Sequence, residues 1–188
     1  MPLSQRHTTM NAGDCGHFVD FFGHDDHMVA AAVSFLAEGF AAGSYCIGIF
    51  THEHRERIEA GLRESGWNPQ QLTDDYRLVM LGAHETLAIM WVDDRLDVSQ
   101  FYKQFSELLR LMGAGGRSVR ITGEIVRLLA EYGRFDAVIQ LEELCNDLSR
   151  EYTFRLYCLY CEASFVRPLE PAHRRRICAV HSGSLRVS

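Results

Sequence analysis

Tyr45-Cys46-Ile47-Gly48-Ile49-Phe50 is an apolar run of strand length, and the charged stretch Thr51-His52-Glu53-His54-Arg55-Glu56-Arg57 follows it at once. A continuous apolar run bounded by polar residues reads as a strand covered on both faces, the pattern of parallel sheets. The residues after it predict a helix over about 52–65, with Ile58 and Leu62 turned inward and Gly66 as its stop. Upstream, His17-Phe18-Val19-Asp20-Phe21-Phe22 reads as a strand. Met28, Ala32, Phe35, Leu36 and Phe40 then form one apolar stripe on a helix over 25–42, stopped by Gly43.

Downstream the alternation continues. Strands are expected at 77–81, 118–122 and 154–161, and helices at about 84–92, 98–112, from 124, over 135–151 and at about 171–181. Asp97 with Gln100 three residues on resembles a capping box at the head of the long helix 98–112. Strands alternating with helices imply a three-layer α/β fold: a mainly parallel sheet with helices on both faces. Ligands on such sheets sit at the carboxyl ends of the strands. Residues 1–15 are expected to form a flexible N-terminal arm and 16–188 a single domain.

The chain has 188 residues, 47% hydrophobic and 23% charged, which suits one globular domain. No apolar run is long enough to span a bilayer, and the first residues do not resemble a signal peptide, so no membrane partner and a cytoplasmic location are expected. The net charge is −6; from Arg167 onward five arginines face one glutamate, which leaves residues 1–166 at −10. A body so acidic repels a phosphate backbone, and direct nucleic-acid binding is not expected. Lys103 is the single lysine, and Gly-Lys-Ser/Thr occurs nowhere, so no phosphate-binding P-loop of the usual form can be built.

Four groups of residues carry candidate chemistry. Gly123-Glu124 follows a buried strand, where a carboxylate can serve a ligand, a cation or an activated water; stabilising the next helix's N-terminus is the plainer role. Glu142 and Asn146 share a helix face with Phe135 and Ile139, either as a polar anchor on a pocket wall or as a structural pair with an arginine. Cys158-x-x-Cys161 and Cys178-x-x-His181 have loosely zinc-like spacing. Residues three apart on a strand face opposite ways, so Cys158, Cys161, Cys178 and His181 are not expected to form a zinc site, and no metal or other cofactor is expected. His24-Asp25-Asp26-His27 would meet His52 and His54 where the first two strands end.

Read in order, His17-Phe18-x-x-Phe21-Phe22, Phe35-Leu36-x-x-Gly39-Phe40-x-x-Gly43, Thr51-x-x-His54, Gly66, Arg120-x-x-Gly123-Glu124, Leu141-Glu142-Glu143-Leu144-x-Asn146-x-Leu148, Phe154-x-Leu156-x-Cys158-x-Tyr160 and Cys178-x-x-His181-Ser182 resemble the MEDS domain. This is a sensory domain named for methanogens, methylotrophs and a dichloromethane-responsive regulator. The resemblance spans about residues 15–183; Cys161 departs from it, standing where a proline is common. It implies a RecA/KaiC-like fold without a working P-loop, and a domain that senses small, hydrocarbon-like ligands. It also implies ligand-binding roles for His17, Thr51, His54, Arg120, Glu124, Glu142 and Asn146.

The expected function is therefore a non-enzymatic sensory or regulatory module that binds a small molecule. With no helix-turn-helix or kinase module in the chain, its output is expected to run through a signalling partner or a homodimer. Helix 98–112, with an exposed edge at Tyr102 and Leu109, and the arginine-rich tail are the candidate surfaces. Two other readings stand beside it: a degenerate nucleotide-binding or hydrolytic enzyme with Glu124 as base, and a metal or redox sensor using the cysteines and histidines.

Overall fold

The computed structural model describes residues 15–114, 116–165 and 168–185. The expected N-terminal arm, apart from Cys15, lies outside the described residues. In chain order the elements are β1 (Gly16–Phe22), α1 (Asp25–Ala41), β2 (Tyr45–Phe50), α2 (His52–Glu64), α3 (Pro69–Asp74), β3 (Leu78–Gly82), α4 (Ala83–Met90), the hairpin β4 (Trp91–Val92) and β5 (Arg95–Leu96), α5 (Val98–Met112), β6 (Val119–Gly123), α6 (Ile125–Glu131), α7 (Phe135–Glu151), β7 (Phe154–Cys161) and α8 (Pro171–Ala179).

Five strands form one parallel sheet in the order β1-β7-β6-β2-β3. Strand alternation divides its side chains between two cores. On one face Phe35 and Leu36 of α1 and Ile58 and Leu62 of α2 pack with Cys46, Tyr157, Leu159 and Cys161. On the other, Phe101 and Phe105 of α5, Val126 of α6 and Leu141 and Leu148 of α7 pack with Ile47, Ile121, Leu156, Cys158 and Tyr160. This is the expected three-layer arrangement. Ile47 and Leu159 are fully shielded from water, each contributing about 1.5–3 kcal/mol of transfer free energy.

β2 feeds α2 on the first face, whereas its neighbour β6 feeds α6 on the second. A crevice therefore opens between the carboxyl ends of β2 and β6. At the opposite edge of the sheet, β1 is covered by the chain's return after α8. Ser182 N–H donates to His17 O at 2.6 Å and Val19 N–H to Gly183 O at 3.0 Å.

The long helix begins where expected, with Asp97 accepting from Gln100 N–H at 3.0 Å. Two local features differ from the sequence reading. The helix expected over 84–92 stops at Met90, because Asp93 and Asp94 both adopt positive φ (50° and 60°) and close a two-residue hairpin. Arg134 holds that hairpin, with its guanidinium 2.6 Å from Asp94 and over the Trp91 ring. The unassigned stretch after Gly66 forms α3, where Asn68 caps the amides of Gln70 and Gln71 and Pro69 fills the first turn. No helix among the described residues is long and apolar enough to cross a membrane.

Candidate functional site

At the crevice between β2 and β6, the backbone places Gly123 against β2 so closely that a Cβ there would lie 2.7 Å from Ile49 O. That approach lets Glu124 N–H donate to Ile49 O at 3.0 Å and carries the Glu124 side chain to the start of α2. Its carboxylate is fully buried and accepts from Thr51 N–H at 2.6 Å, His54 Nδ1–H at 2.8 Å and Arg127 Nε–H at 2.6 Å. Arg127 continues to Glu131 one turn on. Burial alone would raise the carboxyl pKa, but the His54 hydrogen bond, the Arg127 charge and the Thr51 amide outweigh it and hold it at about 2. Asp25 Oδ1 completes the group, buried 3.8 Å from His54 Nε2. The carboxylate thus occupies the helix N-terminus where an exogenous anion would bind.

A second network lies between β1, β7 and α7. Glu142, fully buried, extends from α7 toward the sheet. Tyr160 O–H donates to its Oε1 at 2.7 Å and Cys158 S–H to its Oε2 at 3.2 Å. His17 Nε2 stands 3.0 Å from Oε2 and 3.3 Å from Cys158 Sγ. His181, reaching in from the end of α8, brings Nε2 to 3.4 Å from Oε1, and its ring leans on His17 with centroids 4.0 Å apart. Asn146 sits behind His17: its amide donates to Val180 O at 2.7 Å and its Oδ1 lies 2.9 Å from His17 Nδ1. Burial opposes ionisation of Glu142, yet His181 and His17 hold its carboxyl well below the ordinary range. His181 is raised in turn, because the Glu142 charge and the Ile177 carbonyl outweigh its burial. Burial and the same negative charge push Cys158 and Tyr160 far up.

Against this network lies a cavity of about 50 Å³. Ile49, Phe101, Phe105, Ile121, Leu148 and Leu156 form much of its wall, and Glu142, Cys145 and Cys158 also line it.

The sequence-selected residues therefore separate. Thr51, His54 and Glu124 meet at one network, and His17, Glu142 and Asn146 at the other. Glu124 and Glu142 share no cavity, because the Thr51 amide and His54 draw Glu124 to the start of α2 while Glu142 faces β1 and β7 from α7. Arg120, expected at the ligand, meets neither network: it donates to Phe35 O at 3.2 Å and lies over the Phe35 ring. The four residues with zinc-like spacing divide too: Cys158 and His181 converge, Cys161 lies in the opposite core, and Cys178 is exposed. Tyr160 has no role in the sequence reading; its place two residues after Cys158 on a buried strand was the available signal. The surfaces considered for output are also altered. Leu109 is buried rather than an exposed edge, and Val98 and Leu111 are exposed apolar residues of α5. In the tail Arg174 pairs with Glu162 at 2.5 Å and Arg176 with Asp136 at 3.2 Å.

No curated protein sequence matches the chain. The family model described as the MEthanogen/methylotroph, DcmR Sensory domain matches residues 16–182, nearly the whole described fold. The chain belongs to this MEDS family of sensory domains.

Proposed function

We propose that the chain is a non-catalytic sensory module that binds a small, mostly apolar molecule between the sheet and helices α5, α6 and α7. The observation that carries this reading is the cavity of about 50 Å³, walled by aliphatic and aromatic side chains and touched by Glu142 and Cys158. An apolar cavity of about 150 Å³ accommodates benzene, so this volume suits a molecule of only a few heavy atoms. Glu142, with His17 and Asn146 behind it, gives such a molecule one polar end to orient against. The Glu124, Thr51 and His54 network ties the start of α2 to β6 and is the route by which a shift of the sheet edge reaches the first face. Output then passes to a signalling partner or a second copy.

Glu124 also weighs against nucleotide binding at the crevice, since its carboxylate already satisfies the Thr51 amide at the helix N-terminus. A RecA/KaiC-type ancestry is part of the same reading, with this internal carboxylate in place of a bound phosphate.

A thermal-shift panel of one- and two-carbon haloalkanes and alcohols tests the proposal. Small apolar members are expected to raise Tm in the wild-type chain. In Leu156→Phe, where a ring fills the cavity, the shift is expected to vanish. No shift with any member, or an equal shift in Leu156→Phe, overturns the reading.

A further inference from the structure

We propose that His17, Glu142, Cys158 and His181 form a buried, four-coordinate site for a zinc-class divalent metal ion. One donor atom from each lies within 4.8 Å of every other. His17 Nε2, Glu142 Oε2 and Cys158 Sγ make a triangle with edges of 3.0, 3.3 and 3.2 Å. Tetrahedral zinc with ordinary Zn–N, Zn–O and Zn–S distances needs donor separations of roughly 3.3–3.6 Å, a few tenths of an ångström wider.

The orientation of both imidazoles is fixed from outside the cluster. Val180 O accepts from the Asn146 amide, which turns Asn146 Oδ1 toward His17 Nδ1. Ile177 O accepts from His181 Nδ1 at 2.6 Å. Each Nδ1 therefore carries a proton, and in the neutral ring each Nε2 presents a lone pair to the cluster. A carbonyl behind the distal nitrogen of a ligating histidine is the usual support of a metal site. Tyr160 plays the same part for the carboxylate.

Without an ion this arrangement is poorly satisfied. His181 Nε2, on a side chain with no solvent exposure, meets Glu142 Oε1 only at 3.4 Å and makes no well-formed hydrogen bond. A dication resolves this: the Cys158 thiol releases its proton to solvent, thiolate and carboxylate supply two negative charges, and two neutral imidazoles complete the set. The sum is zero, which a buried site requires. The donor set of two nitrogens, one sulfur and one oxygen favours zinc or cobalt(II) over calcium or magnesium, which take oxygen ligands. The metal site shares Glu142 and Cys158 with the rim of the neighbouring cavity but does not draw on its apolar wall, on which the ligand reading rests.

Cobalt(II) is the probe, supplied to the full chain both folded and during refolding from urea. One cobalt per chain is expected, with visible tetrahedral d–d bands and a thiolate-to-cobalt charge-transfer band. Cys158→Ser should lose the charge-transfer band, whereas Cys15→Ser and Cys178→Ser, which remove exposed thiols, should keep it. X-ray absorption on the wild-type cobalt protein needs no variant and should show one sulfur and three nitrogen or oxygen neighbours. No uptake by the folded chain, a first shell without sulfur, or a band that follows Cys178 instead of Cys158 overturns the proposal. Because cobalt uptake is read with no apolar ligand present, it fails or succeeds independently of the cavity experiment.

Discussion

Replacing Glu124 by glutamine keeps its shape and removes its charge. In the folded chain its carboxyl pKa falls from 4.5 to about 2, and a tenfold change in acid strength corresponds to about 1.4 kcal/mol, so ionised Glu124 contributes about 3 kcal/mol. Removing one member of a buried ion pair costs about 3–5 kcal/mol. Here the low end applies, because Arg127 keeps Glu131 as a second partner. For a chain of this length, about 3 kcal/mol corresponds to a Tm loss of roughly 6–12 °C. The pH dependence takes its sign from the lowered pKa. A depressed carboxyl stabilises fully above its ordinary 4.5, and that stability drains away as pH falls toward about 2. Glu142 is depressed as well and adds its own acid loss, but it does so in both proteins, so the difference between them isolates Glu124. Urea denaturation at pH 7 should place Glu124→Gln about 3 kcal/mol below wild type, with the gap narrowing steadily below pH 4.5. A variant within about 1 kcal/mol of wild type at pH 7, or a gap unchanged in acid, refutes the network's assigned weight.

Three further outcomes are expected. A thiol reagent should modify exposed Cys15 and Cys178 quickly and leave Cys46, Cys158 and Cys161 until unfolding, since the latter are buried and burial pushes Cys46 up to about 12; fast reaction at any of those three contradicts the packing. Gly123→Ala should cost more than Gly48→Ala in urea denaturation, because its new Cβ meets the Ile49 carbonyl at 2.7 Å, whereas at Gly48 the nearest atom is the flexible Met80 sulfur at 2.5 Å; the reverse order would show that the β2–β6 approach is not rigid. Calorimetry with ATP and magnesium should give no magnesium-dependent binding in the micromolar range, given the carboxylate already at the start of α2 and the absence of Gly-Lys-Ser/Thr.

The fold is legible in the sequence wherever one local rule decides the outcome. Tyr45–Phe50 is apolar throughout because both faces of β2 are covered, and Asp97 signals α5 because its side chain binds the Gln100 amide. The hairpin at Asp93-Asp94 was hidden because aspartate enters positive φ only when the surroundings favour it, here through Arg134. The helix α3 carries a cap signal in Asn68-Pro69, but its six residues are too few to show an apolar stripe. The site is less legible because sheet order decides it. Glu124 and Glu142 each look like the edge of one pocket until β7 is inserted between β1 and β6. That insertion sets Cys158 and Tyr160 beside His17, and the return of the chain along β1 delivers His181 to the same place. Neither pairing leaves a mark on local periodicity.

The central claim, a small apolar ligand held on the α5–α7 face, is tested most directly by methyl NMR of the labelled chain titrated with a one-carbon haloalkane. The expected shifts cluster at Ile49, Ile121, Ile125 and Leu156 around the cavity, with Leu36, Ile58 and Leu62 in the opposite core unmoved. Shifts centred on that opposite core, or none at ligand saturation in water, would contradict the account.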